Sequence, residues 1–141
     1  MFVTLAFNFT GGALLRWYRD NFGAEEIAEA KKQGREVYEV MIEKDGKEPS
    51  PIFVVPHYMG TGTPWIDPRA KGAFLGLNLA TTKKDIIKGM LDGITYELKL
   101  NLDGGERQGM AEGKDLRGVL GGGDAGYSGY FQGIPLGKGG V

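Results

Sequence analysis

The stretch from Pro56 to Asp92, PHYMGTGTPWIDPRAKGAFLGLNLATTKKDIIKGMLD, constrains the fold of this chain more than any other. It writes three elements in order: a Gly/Thr/Pro-rich loop, an apolar strand and a capped amphipathic helix. Thr82 with Asp85 three residues on is a capping-box arrangement, in which hydroxyl and carboxylate satisfy backbone N–H groups left open at a helix start. Behind it Ile86, Ile87, Met90, Leu91, Ile94 and Leu98 form one apolar stripe, which predicts a helix over residues 83–102. Residues 73–79 read as a strand, and the unbroken Ile-Phe-Val-Val run predicts a second, buried-type strand over residues 51–55. Residues 59–71 between them are long for a structureless connection.

Upstream, residues 2–9 are a short apolar stretch, a strand or the lead into a helix, broken by Thr10-Gly11-Gly12. Leu14, Leu15, Trp17, Tyr18 and Phe22 then fall at helical spacing over residues 13–22, with Gly23 as the C-cap. Residues 25–33 read as a polar helix ended by Gly34. Val37, Val40 and Ile42 follow as a short helix or an exposed segment, and residues 44–50 as a loop. Downstream, residues 116–120 read as a short strand ended by Gly121-Gly122-Gly123. Strands alternating with helices indicate an α/β layered domain.

At 141 residues the chain suits one domain, and 17 basic against 18 acidic side chains leave no stripe for nucleic acid. With no cysteine there is no disulfide and no thiolate metal site, which fits a reducing, cytoplasmic setting. No basic n-region opens the sequence, and no apolar run approaches the ~18 residues of a membrane helix, so neither a signal peptide nor a membrane partner is expected. Glycine is the outlier: 14 of the 25 fall after Asn101, where apolar periodicity is lost.

Several stretches carry candidate chemistry. In residues 59–71, Gly60 and Gly62 permit close backbone approach to a ligand, and Thr61 and Thr63 carry hydroxyls; a packed surface loop anchored by Trp65 explains the same residues. The start of the 13–22 helix, Thr10-Gly11-Gly12-Ala13, offers free N–H groups to a phosphate or nucleotide edge, with Arg16 one turn on; a plain helix start is the alternative. Gly121-Gly122-Gly123 is a second close-approach site. Neither a dinucleotide fingerprint nor a P-loop fits the tail, because glycines and Pro135 interrupt any following helix and no Ser/Thr follows Lys138. His57, the single histidine, reads as structural; Asp67 and Arg69 form a candidate local ion pair, and Trp17 and Trp65 read as core or lid packing.

These motifs together resemble the FGGY carbohydrate kinases. The family's second signature is matched by Gly72-Ala73-Phe74-Leu75-Gly76-Leu77, then Asp85-Ile86, then Gly89-Met90-Leu91-Asp92, with Gly89 where the family prefers Ala or Ser. The loop at residues 56–72 and the helix from Gly11 to Asp20 resemble their family counterparts, and Gly-Thr-Gly-Thr-Pro looks most like the xylulose kinase branch. The resemblance implies an α/β fold: a partial ribonuclease-H-like (actin-like ATPase) lobe, a mixed sheet with helices. It implies ATP and Mg²⁺ as cofactors. It places Gly12 and Arg16 beside the adenosine and Gly121, Gly122 and Gly123 in a loop at the ribose and adenine. It further implies that the catalytic Asp and the sugar pocket belong to sequence upstream, so no catalytic residue and no metal ligand is assigned here. The family segment is expected over residues 1–103; a Gly-rich tail over residues 104–141, where Asp124 replaces the family's Ala, is expected to depart from it, through a shift of reading frame or a boundary. A lobe without its neighbouring strands leaves sheet edges open, which predicts self-association.

Overall fold

The long helix takes its start from the predicted box. The computed structural model describes residues 10–43, 48–62 and 65–107, with backbone alone for 102–107. Asp85 Oδ2 accepts the Thr82 N–H and hydroxyl at 2.8 Å each, and Thr82 Oγ1 accepts the Asp85 N–H at 3.3 Å. From there α4 runs over Lys83–Arg107, five residues past the expected end. Extending a formed helix gains one hydrogen bond per residue, so the glycines near its end did not stop it at 102.

The predicted stripe is the core. Ile87, Met90, Leu91 and Ile94 of α4 are buried against Leu14, Leu15 and Tyr18 of α1 (Gly12–Phe22), Tyr38 and Met41 of α3 (Val37–Glu43), and Ile52 and Val54. Between α1 and α3 lies α2 (Ala24–Gln33), closed at Gly34 as expected. The segment from Val37 is therefore a helix with a buried face, not an exposed stretch. Lys83 Nζ meets Glu25 Oε2 at 2.8 Å, tying the head of α4 to the head of α2.

Both strands are shorter than the sequence suggests. β1 covers Phe53–Val55 and pairs antiparallel with β2, Ala73–Leu75, in the register Phe53 with Leu75 and Val55 with Ala73. β1 alternates: Val54 is buried against α4 while Phe53 is half exposed beside Tyr96, so the fully buried expectation is corrected. β2 stops at Leu75 because Gly76 adopts φ 87°, and Thr81 Oγ1 then accepts the Asn78 N–H to form a turn before the cap. Gly93 lets β1 lie directly on α4: a Cβ at this position would stand 2.3 Å from the Val54 carbonyl oxygen. At Gly89 a Cβ would meet Val54 Cγ2 at 2.9 Å. The expected elements at 2–9 and 116–120, and the tail, lie outside the described residues.

Candidate functional site

The first turn of α1 is the part of the predicted site that the structure describes. Leu14, Leu15 and Tyr18 turn inward and anchor the helix, which leaves its N-terminal end to the packing of Thr10 and Gly11. The N-cap residue, Gly11, has no side chain, no side-chain cap bond is made, and no acidic residue occupies the first turn. The backbone N–H dipoles at this end are thus not offset by a carboxylate of the helix itself, an arrangement that suits an anion. A Cβ on Gly12 would meet no atom of the described residues within 4 Å. Arg16 follows one turn on, exposed, as the spacing predicts. Gly121, Gly122 and Gly123 lie outside the described residues.

Against this turn lies the loop after β1. The buried Thr10 hydroxyl oxygen accepts the Met59 N–H at 3.2 Å. Tyr58 packs between Trp17, at 5.0 Å between ring centroids, and Phe74, at 6.3 Å. Burial pushes the Tyr58 phenol above its ordinary range. Gly60, at φ 93°, lets the Asp67 carbonyl come within 2.8 Å of where a Cβ would stand. The loop then closes on itself: the Thr61 N–H donates to the Asp67 carbonyl at 3.0 Å, and Thr61 Oγ1 accepts the Asp67 N–H at 2.9 Å. Asp67 and Arg69 make the predicted ion pair at 3.2 Å.

This geometry decides between the two readings of the loop at its described residues. The Thr61 hydroxyl is buried and engaged within the loop, so it braces the backbone rather than facing a ligand; Thr63 lies outside the described residues. The anchor is not Trp65, which is 66% exposed, but hydrogen bonds and the Tyr58 ring. Trp17 is also partly exposed, at 36%, so neither tryptophan is a core residue.

His57 is structural, as expected, but its partner was not visible in the sequence. Its Nε2 lies 3.2 Å from Glu97 Oε1 on α4. Burial raises the Glu97 carboxyl above the usual carboxylate range, and the adjacent His57 opposes that shift. A carboxylate set between Ile94 and Leu98 on an apolar stripe was the available signal for a buried partner. Asp92, part of the signature, is likewise structural: Oδ2 accepts the Ser50 N–H at 2.8 Å, and Oδ1 meets Lys88 Nζ at 3.0 Å.

An open cavity of about 240 Å³ lies between α1, β2 and α4, lined by Trp17, Phe22, Phe74, Leu77 and Ile86. It is apolar and offers nothing to orient a phosphate; Lys83 at its edge is committed to Glu25. The described residues gather no set of three His, Asp or Glu side chains, so they supply no protein cage for Mg²⁺.

The sequence pattern of the FGGY family of carbohydrate kinases, C-terminal domain, matches residues 2–127. The chain belongs to the FGGY family. The matched span includes Gly12, Arg16 and Gly121 to Gly123. A glycerol kinase from Lactobacillus acidophilus is 30% identical over 130 residues, which cover 92% of this chain and 24% of that protein. A gluconokinase from Bacillus licheniformis is 33% identical over 91 residues, 62% of this chain and 18% of that protein. The crystal structure of xylulose kinase from Rhodospirillum rubrum aligns with a TM-score of 0.54 and 21% identity, over 71% of this chain and 19% of that chain. The FGGY chain therefore spans a quarter or less of the length of these relatives. The fold is that of part of a sugar kinase's α/β, actin-like ATPase lobe, as the signature residues implied. Among the described residues, no helix is long and apolar enough to cross a membrane.

Proposed function

We propose that this FGGY chain forms part of the ATP-binding side of a sugar kinase, with Gly12 and Arg16 beside the adenosine and Gly121, Gly122 and Gly123 at the ribose and adenine. Gly12 carries the proposal. Glycine lowers helix stability by up to ~1 kcal/mol relative to alanine. At Gly12 no described atom would obstruct a Cβ, so the packing seen here does not demand this residue, whereas Gly93 is demanded by its strand. An unneeded glycine at an uncapped helix start, with an arginine one turn on, suits close approach by a nucleotide.

The parent reaction is transfer of the γ-phosphoryl group of ATP to a hydroxyl of a ketose or polyol, of the xylulose type by the form of the 60–64 loop. Such transfer depends on positioning and on stabilising charge spread over the phosphoryl oxygens. The part given to this chain is to hold the nucleoside end. Mg²⁺ supplies charge neutralisation as the companion of the phosphates, since magnesium commonly binds through substrate oxygens and few carboxylates. The acceptor sugar and the base that takes its proton belong to the other lobe, and the chain by itself is inactive. Its setting is cytoplasmic.

Two measurements test this. Calorimetry with ATP·Mg is expected to give millimolar or tighter binding, and absence of heat would overturn the nucleotide assignment. A coupled ADP-release assay with pentoses and polyols is expected to show no sugar-dependent turnover; clear turnover by the 141-residue chain refutes the claimed inactivity. The second reading, a non-catalytic interaction module, is favoured by the exposed Phe53, Leu75, Leu77 and Leu79 around the short sheet. That face also supports self-association, which light scattering across a concentration series would detect.

A further inference from the structure

Thr10 stands just ahead of Gly11, the N-cap of α1, and is 2% exposed. A threonine hydroxyl at a helix start commonly serves that helix's own free N–H groups. Thr10 stands one residue before the N-cap position, and its Oγ1 instead accepts the Met59 N–H, 49 residues away. The receiving stretch is held on both sides of Met59. His57 is tied to Glu97 on α4, Tyr58 is packed between Trp17 and Phe74, and Thr61 is cross-bonded to Asp67. The bond thus fixes the backbone immediately before Gly11 and Gly12 to a braced support. The helix itself has no side-chain cap, because its N-cap residue, Gly11, carries no side chain.

We infer that Thr10 is a positioning residue for the nucleotide-side turn: by accepting the Met59 N–H, its buried hydroxyl sets the direction in which Gly11 and Gly12 present their backbone to a nucleoside phosphate. The inference rests on the nucleotide reading of α1 given above. Thr10 acts through the backbone and does not touch the ligand.

The test uses the whole 141-residue chain and three variants, read by amide NMR and by ATP·Mg titration. Thr10→Val keeps the shape and removes the acceptor; Thr10→Ser keeps the acceptor. Thr10→Ala, which adds no bulk, carries the same expectation as valine should the valine variant fail to fold. With the acceptor gone, the Met59 amide exchanges about threefold to tenfold faster, the worth of one neutral hydrogen bond. The Gly11, Gly12 and Ala13 resonances shift, and ATP·Mg affinity falls by a similar factor. Serine restores all three. Faster exchange at Met59 with unmoved Gly11 to Ala13 resonances overturns the inference, and so does an unchanged ATP·Mg affinity. No ATP·Mg response in the wild-type chain sinks the nucleotide reading by itself; the Gly11 to Ala13 shifts then still decide whether Thr10 orients that turn.

Discussion

Gly93→Ala tests the packing of β1 on α4, the contact that organises this fold. The new Cβ would stand 2.3 Å from the Val54 carbonyl oxygen and 3.2 Å from its carbonyl carbon. The oxygen belongs to a strand paired on its other edge with β2, so it cannot rotate aside as a side chain would. Helix and strand must separate by about 1 Å to restore ordinary contact, which loosens Val54, Leu91 and Ile94 together. Overpacking of this kind costs roughly 1–3 kcal/mol, and the gain in helix propensity from glycine to alanine offsets about 1. Because the obstacle is backbone, the upper part of that range applies, and the net loss is about 1–2 kcal/mol. Gly89→Ala is the internal control. Its Cβ would meet Val54 Cγ2 at 2.9 Å and Ile52 Cγ1 at 3.0 Å, buried β-branched side chains rather than backbone, so a loss smaller than that of Gly93→Ala is expected. Urea unfolding of the three proteins, compared by midpoint at constant slope, gives the order wild type above Gly89→Ala above Gly93→Ala. A Gly93→Ala chain as stable as wild type would show that β1 does not lie against α4 in this way, and the reasoning would fail with it.

Other expectations follow from single contacts. Thr82→Ala removes the hydroxyl half of the capping box and costs about 1 kcal/mol by urea unfolding; no loss would mean the cap does not hold the head of α4. The Thr82 N–H, first, and the Thr82 hydroxyl hold the Asp85 carboxyl below its usual range, so its contribution is present above the unfolded-state value and is lost as pH falls through the lowered one; Asp85→Asn should remove that acid-side loss. Burial raises Glu97, so the sign is opposite: its contribution is complete below the unfolded-state value and is lost as pH rises through the raised one. Glu97→Gln should flatten the stability profile across that mildly acidic window, and an unchanged slope counts against burial of this carboxyl. Gly12→Ala should leave the urea midpoint unchanged or slightly raised, because its Cβ meets no atom of the described residues, while weakening ATP·Mg binding; intact binding would remove Gly12 from the site.

The parts legible in the sequence are those whose causes are local. Thr82 and Asp85 are three residues apart, and their mutual hydrogen bonds depend on nothing else, so the start of α4 was readable to the residue. The apolar stripe was readable for the same reason, since 3.6-residue periodicity declares a face before its partner is known. The strands were overestimated because an apolar run does not reveal how many layers will cover it. Ile52 to Val55 suggested cover on both faces, and α4 covers one. Trp65 misled in the same direction: its size suggested an anchor, whereas the Thr61 to Asp67 hydrogen bonds had already closed the loop. At the candidate site, Gly12 and Arg16 are proposed from the family resemblance, and the contact of the Thr10 side chain was not legible in the sequence, because its partner lies 49 residues away.

The sequence by itself determined the family, the capped helix, its buried face and the loop that precedes it, since each rests on residues near one another along the chain or on a pattern shared with relatives. Only the tertiary structure decided which glycines are demanded by contact and which are not. Gly93 and Gly12 look alike in the sequence; one has the Val54 carbonyl against it and the other has no atom of the described residues within 4 Å. The same holds for His57 and Glu97, which are 40 positions apart and become partners only when β1 is laid across α4. The physical reason is one and the same: excluded volume and desolvation act between surfaces, and those surfaces do not exist until the chain has brought distant segments together.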